Sequence, residues 1–288
     1  MSLPSIFPTL RFIASHPLSS RRRSRALWRF TRWQIESRLH EEIVVDWVAG
    51  TKLVARNGMT GVTGNIYCGL HEFAEMGFLL HFLRPEDLFV DVGANVGSYT
   101  ILASAVCRAR TIAIEPDPAS VQSLKRNVDI NAIGDRVRVD QIALGETCGR
   151  AHLTTGRDTT NRIARQSDGE TQEVSMLSLD EATAGTTPIF VKVDVEGYEP
   201  QVIAGANAVL RNPSLQVIQL EFVDTAVRER LSRFGFRRTA YNPFNRQLSV
   251  LEAHEPVKSA NTIFVRDFDL CRARIEAAPR RNVFNEQI

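Results

Sequence analysis

Residues 88–100 read Leu-Phe-Val-Asp-Val-Gly-Ala-Asn-Val-Gly-Ser-Tyr-Thr, and they decide the fold of this chain. The first five residues are mostly apolar and predict a buried strand, while the residues after the turn have helical spacing. The turn between them contains Gly93 and Gly97. Glycine lets a ligand approach the backbone where a side chain would block it. The stretch therefore predicts a strand, a ligand-facing turn and a helix.

Strand and helix patterns alternate after this unit, which is typical of a doubly wound, mostly parallel α/β sheet. A small β-ribbon is expected before it, within residues 42–69, and residues 145–175 are expected to form loops or a hairpin over the sheet. The predicted strands cover residues 88–92, 111–115, 137–144, 189–195 and 215–222, with a final pair at 237–241 and 262–266. The predicted helices cover residues 72–83, 98–107, 118–130 and 199–210.

Composition and charge place the chain among ordinary globular proteins. Of its 288 residues, 43% are hydrophobic and 24% are charged, and its four cysteines form no CxxC pair. No apolar run reaches the roughly 18 residues that a membrane span needs, and the N-terminus lacks the apolar core of a secretory signal. We therefore expect a cytoplasmic protein.

The net charge of +2 conceals a basic N-terminus. Residues 1–40 contain eight arginines, no lysine and one acid, so this segment is +7 and the remainder is −5. An acidic remainder does not predict a nucleic-acid-binding domain. For the arginine-rich segment two interpretations stay open: contact with an anionic membrane surface, or packing on the domain with the arginines in water. The absence of one clean apolar stripe favours packing.

Asp91, just before the glycines, restricts the ligand of the turn. A carboxylate would repel a pyrophosphate bound at a helix N-terminus, but it would attract the ammonium and sulfonium groups of S-adenosylmethionine. The turn therefore predicts a binding site for this methyl donor. Its candidate residues are Asp91, Gly93, Ala94, Asn95, Gly97, Tyr99 and Thr100.

The next strand exits supply further candidate contacts for a nucleoside, because ligands of parallel α/β sheets bind at the carboxyl ends of the strands. Glu115 follows the second strand and can accept both hydroxyls of a ribose. Around the third exit, Ile142 and Ala143 can form an apolar wall beside adenine, and Asp140 or a backbone amide can bond to its edge.

A second motif, Val-Lys-Val-Asp-Val-Glu-Gly-Tyr-Glu at residues 191–199, carries three charges at alternate positions. Period two would place Lys192, Asp194 and Glu196 on one side of a continuing strand. We expect Asp194 to be the base that removes a proton from the acceptor, with Glu196 second and Lys192 orienting the carboxylate. Helix capping by Asp194 or Glu196 is the alternative. A base at His71, with Glu72 beside the pocket, also stays open.

The combined motifs resemble the FkbM family of S-adenosylmethionine-dependent methyltransferases. The resemblance covers roughly residues 65–266 and rests on residues 91–100, Glu115-Pro116, residues 192–199, Gly205-Ala206 and residues 219–222. It implies the class I methyltransferase fold, a Rossmann-like seven-stranded sheet with a terminal antiparallel strand and a small N-terminal helix and β-ribbon extension. It also implies O-methylation of a hydroxyl on a sugar, glycan or natural product.

Four segments follow from these observations. They are an arm and helix over residues 1–40, whose first 24 residues are expected to be poorly ordered, a ribbon and helix cover over 41–84, the S-adenosylmethionine-binding methyltransferase domain over 85–270 and a tail over 271–288. No metal site is predicted, although Asp194, Glu196 and Glu221 could gather a divalent cation.

Two other functions stay as alternatives. The first, an NAD(P)-dependent oxidoreductase, is disfavoured because the turn has no Gly-x-Gly-x-x-Gly. The second is a non-catalytic module tethered to a membrane or partner. The sequence does not indicate the oligomeric state.

Overall fold

An eight-stranded mixed sheet lies at the centre of the computed structural model, which describes residues 3–154, 162–163, 169–252, 255–256, 259 and 261–288. Five neighbouring strands are parallel, and three strands at one edge alternate in direction. In spatial order the strands are β5 (Val137–Asp140), β4 (Arg110–Ile114), β3 (Leu88–Val92), β9 (Phe190–Val193), β10 (Val217–Leu220), β13 (Thr262–Val265), β11 (Arg237–Asn242) and β12 (Gln247–Val250). The predicted α/β class is confirmed, with the hairpin strand β12 as an eighth member.

Strand order reverses between β3 and β9. The chain proceeds outward from β3 through β4 to β5, and then returns to pair β9 with the other side of β3. The carboxyl ends of β3 and β9 therefore border the crevice where doubly wound sheets bind their ligands.

Helices cover both faces of this sheet, and the described residues contain three separate buried apolar clusters. The helices before and beside the first parallel strands are α4 (Thr60–Cys68), α5 (Phe73–Phe82), α6 (Ser98–Ile101), which continues as a π-helical turn at Leu102–Val106, and α7 (Pro118–Ile130). The later helices are α8 (Leu179–Ala182), α9 (Glu199–Ala204), α10 (Asn207–Arg211), α11 (Thr225–Arg233) and α12 (Phe268–Glu276).

The N-terminal arm is ordered, contrary to expectation. It forms α1 (Leu3–Ser15), α2 (Pro17–Ser20) and α3 (Arg23–Leu39). Ile13, Leu18 and Trp33 are at most 4% exposed and belong to the same apolar cluster as the sheet. The prediction of poor order is wrong for residues 3–24, because apolar side chains such as Ile13 and Leu18 pack on the domain, and composition does not reveal that surface.

The small sheets complete the fold. The predicted ribbon is present as β1 (Ile43–Asp46) and β2 (Lys52–Ala55), but α4 was missed. The hairpin alternative expected within residues 145–175 is present as the antiparallel pair β7 (Gly149–Thr154) and β8 (Thr171–Ser178), and β6 (Ala143–Gly145) pairs with β8 to give a three-stranded sheet. A short pair, β14 (Asn282–Val283) and β15 (Glu286–Gln287), follows α12. No helix in the described ranges is long and apolar enough to cross a bilayer.

Two predicted elements are divided in the structure. The predicted strand over 137–144 separates into β5, in the large sheet, and β6, which pairs with β8. The predicted helix over 199–210 breaks at Gly205, where a Cβ atom would lie 2.2 Å from the carbonyl oxygen of Gly145. The second half restarts as α10, whose amides at Ala208 and Val209 donate to the carboxylate of Asp180 at 2.8 and 2.9 Å.

Candidate active site

A row of three buried polar side chains crosses the middle of the apolar sheet. Asp91 on β3 is the register partner of Lys192 on β9, which is in turn the partner of Gln219 on β10. All three residues are at most 3% exposed. Burying a polar group costs free energy of folding unless the group is paired. Packing alone therefore does not explain why three polar residues occupy this part of the sheet.

A cavity of about 250 Å³ opens beside this row, at the carboxyl ends of β3, β4 and β9. Most of the sequence-predicted site residues line it, and these are Gly93, Ala94, Asn95, Tyr99, Glu115, Ala143, Lys192, Asp194 and Glu196. Four others do not line it: Asp91, Gly97, Thr100 and Asp140. Asp91 and Thr100 are buried behind the wall, and the carboxylate of Asp140 pairs with Arg138 at 2.9 Å.

The glycine turn is shaped by close backbone contact with the second motif. Gly93 has φ +71°, and a Cβ atom there would lie 1.8 Å from the carbonyl oxygen of Asp194. Gly97, with φ +90°, begins α6 in the left-handed conformation. Both positions favour glycine because of their positive φ, and the close approach at Gly93 brings the two predicted motifs together.

Glu115 is held at the exit of β4 by two backbone amides. Its Oε2 accepts from the amide of Asn95 at 2.8 Å, and its Oε1 accepts from the amide of Asp117 at 2.9 Å. Burial raises the pKa of Glu115 to about 7, although these two hydrogen bonds oppose the shift. Each oxygen keeps a second lone pair for a ligand. Ile142, Ala143 and Leu144 line the same cavity.

Lys192 lies between two carboxylates. Its Nζ donates to Oδ2 of Asp194 at 3.0 Å and lies 3.8 Å from Oδ1 of Asp91. Burial alone would lower the pKa of Lys192, but Asp194, Asp91 and Glu72 together raise it above its ordinary value. Thr100 supports Asp91 by donating to its Oδ2 at 2.7 Å. The lysine therefore stays charged and joins the glycine motif to the acidic motif.

Asp194 and Glu221 form a coupled carboxyl pair. Burial alone would raise the pKa of Asp194, but Lys192 and a hydrogen bond with Glu221 lower it below its ordinary value. For Glu221, partial desolvation and then the charge of Asp194 raise the pKa to about 8. At neutral pH the proton therefore belongs to Glu221, and Asp194 is ionised.

Glu196 does not continue the alternation of β9. The strand ends at Val193, and Glu196 lies in the following turn with φ +54°. Its half-buried carboxyl lines the cavity, and burial followed by the charge of Asp194 raises its pKa. The predicted alternation of side chains therefore holds for Lys192, which lies on the strand. It does not hold for Glu196, which lies beyond the end of the strand.

A second hydrogen-bond chain closes the opposite wall. The Tyr99 hydroxyl donates to Oε2 of Glu72, and Nε2 of Gln219 donates to the Tyr99 hydroxyl at 2.9 Å. Nζ of Lys192 lies 4.9 Å from the centroid of the Tyr99 ring. His71 also lines the cavity, and burial lowers its pKa. Glu72 and His71 therefore both line the cavity, and a base at His71 stays open as an alternative.

Sequence reasoning missed a role for Gln219. The available signal was its position as the single polar residue between apolar ones in the strand Val-Ile-Gln-Leu. Among the described residues, no three His, Cys, Asp or Glu side chains are grouped so that they could hold a metal ion.

Comparisons with known proteins point to one methyltransferase family. The sequence model of the methyltransferase FkbM domain matches residues 91–238. Hexuronic acid methyltransferase AglP of Haloferax volcanii is 26% identical over 145 residues, covering 49% of this chain and 59% of the relative. The 31-O-demethyl-FK506 methyltransferase FkbM of Streptomyces tacrolimicus is 30% identical over 173 residues, covering 46% of this chain and 65% of the relative.

The matched region spans about three-fifths of the length of each of these relatives. A crystal structure of methyltransferase FkbM from Methylobacillus flagellatus superposes with a TM-score of 0.45 at 17% identity, covering 71% of this chain and 52% of that one. The matched domain contains the glycine turn, Glu115, the Lys192–Asp194 pair and Gln219, and it occupies just over half of the chain. The chain therefore belongs to the FkbM methyltransferase family.

Proposed function

We propose that this chain transfers the methyl group of S-adenosylmethionine to a hydroxyl of a sugar, glycan or natural product. The observation that carries the proposal is Asp194, whose carboxylate lines the cavity directly beside the glycine turn and accepts a hydrogen bond from Nζ of Lys192 at 3.0 Å. The names of the two relatives, which refer to a hexuronic acid and to 31-O-demethyl-FK506, support an acceptor of this class.

The residues present fit the methyl donor. Oδ1 of Asp91 accepts no hydrogen bond within the described chain, but it lies 3.8 Å from Nζ of Lys192 and Asp91 does not line the cavity, so any attraction of Asp91 for a cationic ligand acts through the cavity wall. Glu115 would hold the ribose hydroxyls, and Ile142 and Ala143 would contact the adenine. When bound, S-adenosylmethionine would supply an electrophilic methyl group on a sulfonium leaving group.

Asp194 would act on the acceptor. It would accept the proton of the acceptor hydroxyl and so make that oxygen a better nucleophile for the methyl group that the bound donor would supply. Lys192 favours the ionised form of Asp194 and holds one of its carboxylate oxygens by a hydrogen bond. The protonated Glu221 forms a second hydrogen bond to the Asp194 carboxylate. The cavity walls would also align the acceptor, because correct positioning of the reactants can lower the activation barrier by several kcal/mol.

Cofactor binding is the first test. Calorimetric titration should show S-adenosylhomocysteine binding to the wild-type chain, with NAD giving no signal. Glu115→Gln should weaken S-adenosylhomocysteine binding about tenfold or more, because a carboxylate that accepts charge-assisted hydrogen bonds is replaced by an amide. Tight binding of NAD without binding of either methyl-cycle ligand would contradict the proposal.

The role of Asp194 is the second test. Asp194→Asn should lower the rate of S-adenosylhomocysteine release by about 10²–10⁴-fold on a panel of uronic acid glycosides and macrolide alcohols. Cofactor affinity should change little. His71→Gln is the matched control at the same cavity and should keep most turnover. If Asp194→Asn stays active and His71→Gln is inactive, the base is His71.

A further inference from the structure

Helix α3 has two apolar faces, and the domain covers only one of them. Ala26, Phe30, Trp33 and Ser37 are buried against the rest of the chain. Trp28, Ile35 and Leu39 are 60%, 56% and 71% exposed. The exposed residues follow buried ones by two positions, which is roughly 200° around the helix. The outer stripe therefore points directly away from the domain.

Arginines border this outer stripe on both sides. Arg25 and Arg32 follow one edge of the helix, and Arg38 follows the other. Within the described residues, the guanidinium of Arg25 makes no hydrogen bond or ion pair, and that of Arg32 lies 5.4 Å from the Trp28 ring centroid while pairing with Glu36. Because Arg25, Arg32 and Arg38 border the stripe and Glu36 is the acid of this helix, the exposed face carries a positive potential.

The exposed apolar stripe and the arginines on either side of it together indicate what this surface binds. Nucleic-acid binding needs the positive charge but gains little from a bare apolar stripe that contains isoleucine and leucine. An anionic bilayer uses both features, because tryptophan and aliphatic side chains enter the interface while flanking arginines meet the headgroups. With 17 residues, α3 is about 25 Å long and suits a position in the plane of the surface.

We propose that the outer face of α3 docks on an anionic lipid surface, with Trp28, Ile35 and Leu39 inserted at the headgroup level. On its inner side, α3 packs on α4, and Arg29 donates to the carbonyl of Tyr67 at the end of α4. Gly61 and Asn65 of α4 line the cavity. The docked surface is therefore one helix away from the candidate active site.

Vesicle co-sedimentation tests the proposal. The full-length chain should sediment with vesicles of phosphatidylcholine and phosphatidylglycerol but not with phosphatidylcholine alone, and added salt should release it. The double variant Trp28→Ser with Ile35→Ser should lower the partition coefficient at least about tenfold. Arg25→Gln should lower it about fivefold, since each basic residue near such a surface contributes about 1 kcal/mol.

Controls come from exposed residues elsewhere on the chain. Val250→Ser and Arg233→Gln remove an exposed apolar and an exposed basic side chain outside the N-terminal helices, and both should sediment like wild type. Melting temperatures should show that all variants fold, because every substituted residue is exposed. Absence of vesicle binding, or unchanged binding by the double variant, would overturn the proposal. The proposal would also be overturned if the chain bound RNA, kept that binding in the double variant and did not bind vesicles.

Discussion

Lys192 connects the two sides of the candidate active site through its charge. It is nearly inaccessible to solvent and lies within 4 Å of carboxyl oxygens on both Asp91 and Asp194. A buried cation of this kind is tolerated because its partners compensate for lost hydration. In return it lowers the pKa of Asp194. One lysine therefore supports both the proposed donor site and the proposed base.

Glu115 should give the free protein a pH-dependent stability. Its folded pKa of about 7 lies above the ordinary value of 4.5, so the folded state holds the proton more tightly. This contribution is fully present below about pH 4.5 and is lost as the pH rises through about 7. Each unit of pKa difference corresponds to about 1.4 kcal/mol.

Thermal unfolding between these pH values measures the effect. Along this range the melting temperature of Glu115→Gln should fall less, or rise more, than that of the wild type, because the substitution removes the contribution of Glu115. Glu229→Gln changes an exposed carboxylate on α11 and should keep the wild-type slope. An unchanged slope in Glu115→Gln would show that another group is responsible.

At the scale of elements, the turn after β3 depends on Gly93. An alanine there would adopt an unfavourable positive φ, and its Cβ would meet the backbone of Asp194. We expect Gly93→Ala to lower the free energy of unfolding by roughly 3 kcal/mol or more, because backbone on both sides must move. Urea denaturation measures this loss.

Gly134→Ala is the matched control for that change. No atom lies within 4 Å of a Cβ built at Gly134. This substitution should be neutral or slightly stabilising, because it restricts the unfolded chain. Equal stability of Gly93→Ala and Gly134→Ala would show that the close approach of the two motifs does not hold in solution.

Element boundaries show where local pattern stops being informative. The bounds of β3 and α7 agree with the sequence prediction, because alternation and an Asp-Pro start are local signals. The break between α9 and α10 depends on Gly145 and Asp180, which are distant in sequence. No window of residues 199–210 contains that information.

At the scale of the whole molecule, the N-terminal helices and the sheet share one apolar cluster. The cluster includes Trp33 of α3, Phe78 of α5 and Val217 of β10. The boundaries proposed at residues 40, 84 and 270 therefore mark changes in amino-acid composition and pattern. Because the segments share one apolar cluster, we propose that they unfold together.

The three tryptophans make this proposal measurable. All of them lie within residues 28–47, so their fluorescence reports on the N-terminal segment, while circular dichroism reports on every helix and strand. The two unfolding curves should coincide in urea, as two-state unfolding requires. A fluorescence transition that precedes the loss of ellipticity would show that residues 1–84 unfold separately.

The sequence by itself determined the alternation of strands and helices, the glycine turn and the acids at strand exits, because these depend on local spacing and on the known geometry of parallel sheets. Only the tertiary structure decided that Gln219 joins Asp91 and Lys192 in one row, and that Asp194 lies close enough to Glu221 to raise its pKa. It also decided that α3 presents a second apolar stripe to solvent. The reason is physical: register, burial and charge coupling arise between residues far apart in the chain, and no local pattern encodes which of them meet.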